Sequence, residues 1–160
     1  MRFSPVFCTP LLLFCSACGT IPAVTTPAGS EQSPPPADAT AERVKTLLAR
    51  INDDHDILHA DYTPAVRELR KIGEPALAPT LELMLSEDLH TRMRAQRVLE
   101  GVTMAQHGFV VGQGWKEDGG EERFRKFWFE LGDLDYDAPS EKRAASVALW
   151  KKWLAGRAKA

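Results

Sequence analysis

Cysteine is nearly absent from this chain: Cys8, Cys15 and Cys18 are the three, and none follows residue 18. A disulfide framework is therefore excluded for everything downstream. An excess of one charge is missing too, since 20 Lys+Arg stand against 22 Asp+Glu for a formal net charge of −2. A basic stripe of the kind that grips nucleic acid has no support in that balance, and no nucleic-acid partner is expected. No second long apolar run exists that would span a bilayer; the only one is short and N-terminal. Signatures of catalysis are lacking as well. There is no P-loop and no nucleophile elbow. Gly112-Gln113-Gly114 is a lone Gly-x-Gly, with Glu117 where a dinucleotide fingerprint needs its third glycine. What remains is 160 residues, 44% hydrophobic and 26% charged, the length and balance of one globular domain.

The first residues read as an address. Arg2 supplies a positive start, and Val6 to Phe14 is apolar apart from Cys8, Thr9 and Pro10. Small Ser16 and Ala17 follow. Positive, apolar and small in that order is the plan of a secretory signal peptide. Pro5 and Pro10 argue against a buried N-terminal helix. The run Cys15-Ser16-Ala17-Cys18-Gly19 resembles the bacterial lipobox, with Cys15 where Leu is usual. The resemblance implies cleavage before Cys18, diacylation of its thiol and N-acylation, which anchor the exported chain to a membrane. Ordinary signal-peptidase cleavage after Ala17 is the competing reading. Lipidation also accounts for the single cysteine that cleavage would leave behind, and several acyl chains give stable attachment where one is marginal. The signal peptide is thus assigned to residues 1–17.

Residues 18–39 read as anchor site and spacer. Pro22, Pro27, Pro34, Pro35 and Pro36 lie among Thr, Ser, Ala and Gly, with Ile21 and Val24 the only bulky aliphatics. Such a segment buries too little to offset its ordering entropy and is expected to be disordered. Run out as polyproline it reaches up to about 60 Å.

From residue 40 to 160 the pattern is helical, and the fold class expected is all-α with about five to six helices. Val44, Leu47, Leu48 and Ile51 make one stripe, with Thr40 as the expected cap. Thr63-Pro64 starts a second helix with Val66, Leu69 and Ile72 inward, and Gly73 ends it. Pro75 opens a third, with Leu77, Leu81, Met84 and Leu85 inward. After a turn and cap at Ser86-Glu87-Asp88, a fourth buries Ala95, Val98, Leu99 and Val102. A glycine-rich connection, Gly108 to Gly120, holds the one strand-like run, Phe109-Val110-Val111. Phe124, Phe127, Trp128 and Leu131 form a fifth helix stopped by Gly132. A last helix starts near Ser140 with Ala144, Val147, Trp150 and Leu154 inward and Gly156 after it.

The stretch Leu69-Arg70-Lys71-Ile72-Gly73-Glu74-Pro75-Ala76-Leu77-Ala78-Pro79, with Leu81 to Leu85 behind it, resembles the HEAT-repeat family. In that family one helix ends in Ile-Gly and Pro-Ala-Leu opens the next. Arg92, Ala95 and Leu99 fit the helix that follows. The likeness covers about Pro64 to Val102. It departs at Thr91, where an apolar residue is common, and at the glycine-rich connection, which interrupts the repeat rhythm. A short array of helical hairpins that binds another protein is what the resemblance implies, with the Trp150-x-x-Trp153 helix closing the stack.

Three patterns carry candidate chemistry. His55-Asp56-Ile57-Leu58-His59 places two histidines at i, i+4, where both can ligate zinc. It resembles the zincin signature His-Glu-x-x-His, with shorter Asp56 in place of the catalytic Glu. The plainer alternative makes His55 a half-buried continuation of the first stripe and His59 a surface residue. Asp61 and Glu68 are the nearby carboxylates, and neither is assigned as a third ligand. Asp133-x-Asp135-x-Asp137 resembles a calcium loop but has Ala138 and Ala144 where the EF-hand needs Gly and Glu. Arg67, Arg70 and Arg92, together with Phe129 and Trp153 off the inward stripes, are the candidate contact residues for an envelope protein. The first expectation is a lipid-anchored interaction domain without an identified catalytic activity. The alternatives are a zinc protein or hydrolase built on His55 and His59, and a structural component that packs against like chains.

Overall fold

The computed structural model describes residues 36–54 and 58–157. Among them the chain is all-α apart from one small hairpin. Its helices are α1 (Ala37–Ala49), α2 (Pro64–Ile72), α3 (Leu77–Glu82), α4 (Leu89–Gln106), α5 (Gly120–Glu130) and α6 (Ser140–Arg157). Short 3-10 turns, Glu74–Ala76 and Leu83–Leu85, flank α3. The strands β1 (Phe109–Val110) and β2 (Gly114–Trp115) pair antiparallel between α4 and α5. Cys18, the spacer through residue 35, and His55 lie outside the described residues.

Local chemistry sets the helix ends. The Thr63 hydroxyl accepts from Val66 N at 3.2 Å and donates to Ile51 O at 3.0 Å, so one buried side chain caps α2 and ties it to the end of the α1 segment. Asp88 caps α4, accepting from Thr91 N at 2.7 Å and from the Thr91 hydroxyl at 2.6 Å. Gly73, with φ of 79°, ends α2 in a backbone region that costs only glycine nothing. The glycines of the connection serve a tight hairpin: Gly112 and Gly114 both have positive φ, and Gln113 N closes the turn on Val110 O at 3.0 Å.

Some expectations shift. The first helix begins at Ala37 behind Pro36, three residues before the expected boundary at 40, and Thr40 turns its hydroxyl back to Pro36 O instead of capping. Leu85 is 43% exposed, not inward. The 3-10 turn there has three residues per turn, so Leu81 and Met84 stay aligned while Leu85 rotates off the stripe. In α6 the inward residues are Arg143, Ser146, Val147 and Trp150, and Ala144 is exposed. The Arg143 guanidinium reaches carbonyls at Met84 and Ala138, which turns that side of the helix inward. Helix α6 also runs through Gly156 to Arg157.

One contiguous core runs from Val44 and Ile51 through Leu69, Leu77, Leu81, Val98 and Leu99 to Trp128 and Trp150. α4 lies at its centre, packed by α2 on one side and by α3 on another. Close approach to α4 is possible because Gly101 has no side chain: the Arg70 Nε lies only 1.8 Å from where a Cβ would be.

Candidate docking surface

The α5 corner presents the most conspicuous apolar exposure on a helix of this domain. Helix α5 starts after Gly119, whose φ is 72°, and has Glu121 and Glu122 in its first turn, where the helix dipole favours acids. Its inward side fits the expected stripe, with Trp128 and Leu131 buried and Phe124 and Phe127 half-buried. The Trp128 indole donates to Leu134 O at 3.2 Å. Past the helix, Gly132 has φ of 91° and its carbonyl accepts from the Ser146 hydroxyl at 2.6 Å. A Cβ at Gly132 would stand 2.7 Å from that hydroxyl oxygen, so the corner is packed hard onto α6. With two sides of α5 committed this way, Phe129 is left pointing out and is 73% exposed. It lines a groove of about 380 Å³ together with Glu100, Phe124, Arg125, Trp128 and Asp133.

Charge in the groove is ordered. Arg125 lies one turn before Phe129, and Asp133 lies just past the helix end. Glu100 enters from α4, where Arg97 holds it at 2.7 Å and holds Asp61 at the same distance. Burial opposes the charged form of Arg97, yet hydrogen bonds to Glu100 and Asp61 outweigh it and raise the guanidinium above its ordinary value. A second groove, of about 490 Å³, is lined by Leu131, Leu149, Lys152, Trp153, Gly156 and Arg157. Arg157 sits over Trp153 at 5.0 Å and grips Glu74 through two nitrogens. That hydrogen bond holds the Glu74 carboxyl below its usual range.

The residues singled out in the sequence do not form one ridge. Arg67 is exposed and donates to Tyr62 O at 2.9 Å. Arg70 is half-buried across Gly101, with its guanidinium 5.4 Å from the Tyr62 ring centre. Arg92 is withdrawn from the surface: it is buried and donates to the carbonyls of Tyr136, Ser86 and Glu87 at 2.7 to 2.9 Å. A guanidinium has five donors in a fixed fork, which suits such carbonyl clusters. Trp153 is half-buried in a ring stack with Phe127 at 5.1 Å and Trp150 at 5.6 Å. Phe129 alone of these five is a free apolar contact on a helix.

Of the zinc pair, His55 lies outside the described residues and His59 is exposed. Asp61 is engaged by Arg97, and Glu68 by Arg43 and Lys71. Among the described residues no three His, Cys, Asp or Glu side chains gather as a metal site. In the Asp133-Asp135-Asp137 run, Asp135 accepts from Asp137 N at 3.0 Å and Asp133 approaches Lys142 at 3.7 Å. Comparison of the chain with family models, with curated proteins and with solved structures returns no match.

Proposed function

We propose that this chain is an exported bacterial lipoprotein, held to a membrane through Cys18, whose helical domain docks a protein partner on the α5 corner. The anchor half of the reading rests on the apolar leader and the Cys15-Ser16-Ala17-Cys18 run. The docking half is carried by one observation: Phe129 stays 73% exposed beside an apolar groove, while the aromatic side chains around it pack inward. A large apolar side chain held out by rigid neighbours is a common contact anchor. The resemblance of Pro64 to Val102 to HEAT repeats adds a family habit of binding proteins, and the packing of α2 and α3 on α4 suits a helical-hairpin arrangement. No described helix is long and apolar enough to cross a membrane. The zinc reading has only the sequence spacing of His55 and His59 behind it.

The test of the anchor is labelled palmitate fed to a bacterial host that expresses the full chain. The parent takes up label and sediments with membranes, and Cys18→Ser loses both. Release of an unlabelled chain beginning at Cys18 would instead establish cleavage without lipidation and end the anchor reading.

A further inference from the structure

The partner of the Phe129 groove, we infer, is a second copy of this chain, docked antiparallel across α5 so that Arg125 of each copy meets Asp133 of the other. The inference rests on the docking reading above and names its occupant. The groove is self-complementary about Phe129. Arg125 lies one turn before Phe129 on α5 and Asp133 lies past the C-terminal end of the helix, so unlike charges line the same groove toward its two ends. A two-fold axis at Phe129 therefore stacks one Phe129 on the other and brings unlike charges together twice, as an isologous contact requires. Glu100 also lines the groove and is already paired with Arg97, which leaves Arg125 and Asp133 as the charges available to a second copy. The side chains involved are available: Arg125 is 76% exposed and Asp133 58% exposed. Their present partners, Glu121 and Lys142, are surface contacts of the kind that contributes little and exchanges readily. One helix face and its groove bury less than the roughly 800 Å² per partner of a standard stable interface. Such a contact is weak between free molecules. Tethering both copies to one membrane raises their effective concentration and populates it without any new contact.

The experiment uses the full chain in the membranes of a bacterial host, with the photo-crosslinker p-benzoylphenylalanine in place of Phe129. A crosslinked product of twice the chain's mass, composed of this chain alone, is expected. Arg125→Asp or Asp133→Arg, introduced singly beside the crosslinker, lowers its yield by roughly three- to tenfold, because each reversal turns both exposed charge pairs of the symmetric contact into like-charge ones. Arg125→Asp combined with Asp133→Arg restores it, because the swapped pair is again complementary. A product containing a different protein would overturn the second copy while leaving the docking role standing. No product, or a homodimer indifferent to both charge reversals, would overturn this geometry. Sedimentation of the same samples reports the anchor separately, so its failure is not confused with failure of the dimer.

Discussion

Around α4 the packing is aliphatic and the ties between elements are polar; between α5 and α6 the packing is aromatic and the ties are fewer. In the first region Val66, Leu69, Leu77, Leu81, Val98 and Leu99 are all but sealed from solvent. Arg92 and Arg94 hold the surrounding loops by donating to carbonyls, Arg94 to Ala60 O at 2.8 Å. In the second, Phe124, Phe127, Trp128, Trp150 and Trp153 stack at 5.1 to 6.2 Å, mostly edge to face. His107 closes the stack at 4.6 Å from Phe127, its Nδ1–H donating to Thr103 O. The contrast teaches where a surface can be spared for function. Carbonyl ties consume the polar surface of the α4 region. The aromatic region packs inwardly, with the Trp150 indole N–H buried without a partner among the described residues, and leaves one side of α5 uncommitted.

The largest effect tests whether the two regions are one cooperative body. Trp150 is fully buried and touches Phe127, Trp128 and Trp153. Trp150→Ala is expected to cost about 3–5 kcal/mol by lost transfer and residual cavity. Denaturant unfolding followed by both far-ultraviolet dichroism and tryptophan fluorescence should remain a single transition, since one core cluster includes both regions. Two separated transitions would divide the molecule at the α4–α5 connection.

Next in size is Arg92→Met, which removes the ties to Tyr136, Ser86 and Glu87. Orphaned carbonyls of this kind cost about 1–3 kcal/mol. Arg92→Lys should recover only part of that, because an ammonium lacks the planar fork. A Met variant as stable as the parent would show that relief of the buried charge offsets the lost bonds, and that the α4 region is held by its aliphatic packing alone.

These arginines mark the limit of what the sequence discloses. Helix ends were legible wherever one residue sets them: Thr63 before Pro64, Gly73, Asp88, Gly132. The stripes of α4 and α5 were legible because their partners sit at helical spacing. Arg92 and Arg143 are not, because each spans local carbonyls and one that lies 44 or 59 residues away, and a charged letter reads as surface. Leu85 was misplaced for a different reason, a change of helical pitch that no single residue announces. At the candidate site Phe129 stood out as the off-stripe aromatic. Trp153 is equally off-stripe in the sequence, but Phe127 of α5 and Trp150, one turn earlier on α6, cover it.

A pH series separates the regions by a smaller effect. The Asp88 carboxyl is held below its ordinary value of 3.8, first by the Thr91 hydroxyl and then by the Thr91 backbone N–H, against desolvation. A lowered folded-state value means the stabilisation is present above the ordinary value and is lost as pH falls through the lowered one. Asp88→Asn keeps a capping oxygen but cannot titrate. Its stability should therefore fall less steeply than the parent's below pH 3.8. Glu74, held by Arg157, and Glu68, held by Lys71 and Arg43, titrate the same way and remain in both proteins, so parallel acid limbs would assign the loss to those pairs instead of the α4 cap.

The smallest effect on stability belongs to Phe129. Being 73% exposed, it gives up little on truncation, and Phe129→Ala should unfold within about 0.5 kcal/mol of the parent. Truncation inward on the same helix, Trp128→Ala, removes a buried ring and its bond to Leu134 O and should cost several times more. Adjacent residues on one helix would then differ because one packs the fold and the other only faces outward. If Phe129→Ala proved as damaging as Trp128→Ala, Phe129 would be a structural element of the α5 corner, and the contrast between committed and spared surface would fail where the docking reading needs it.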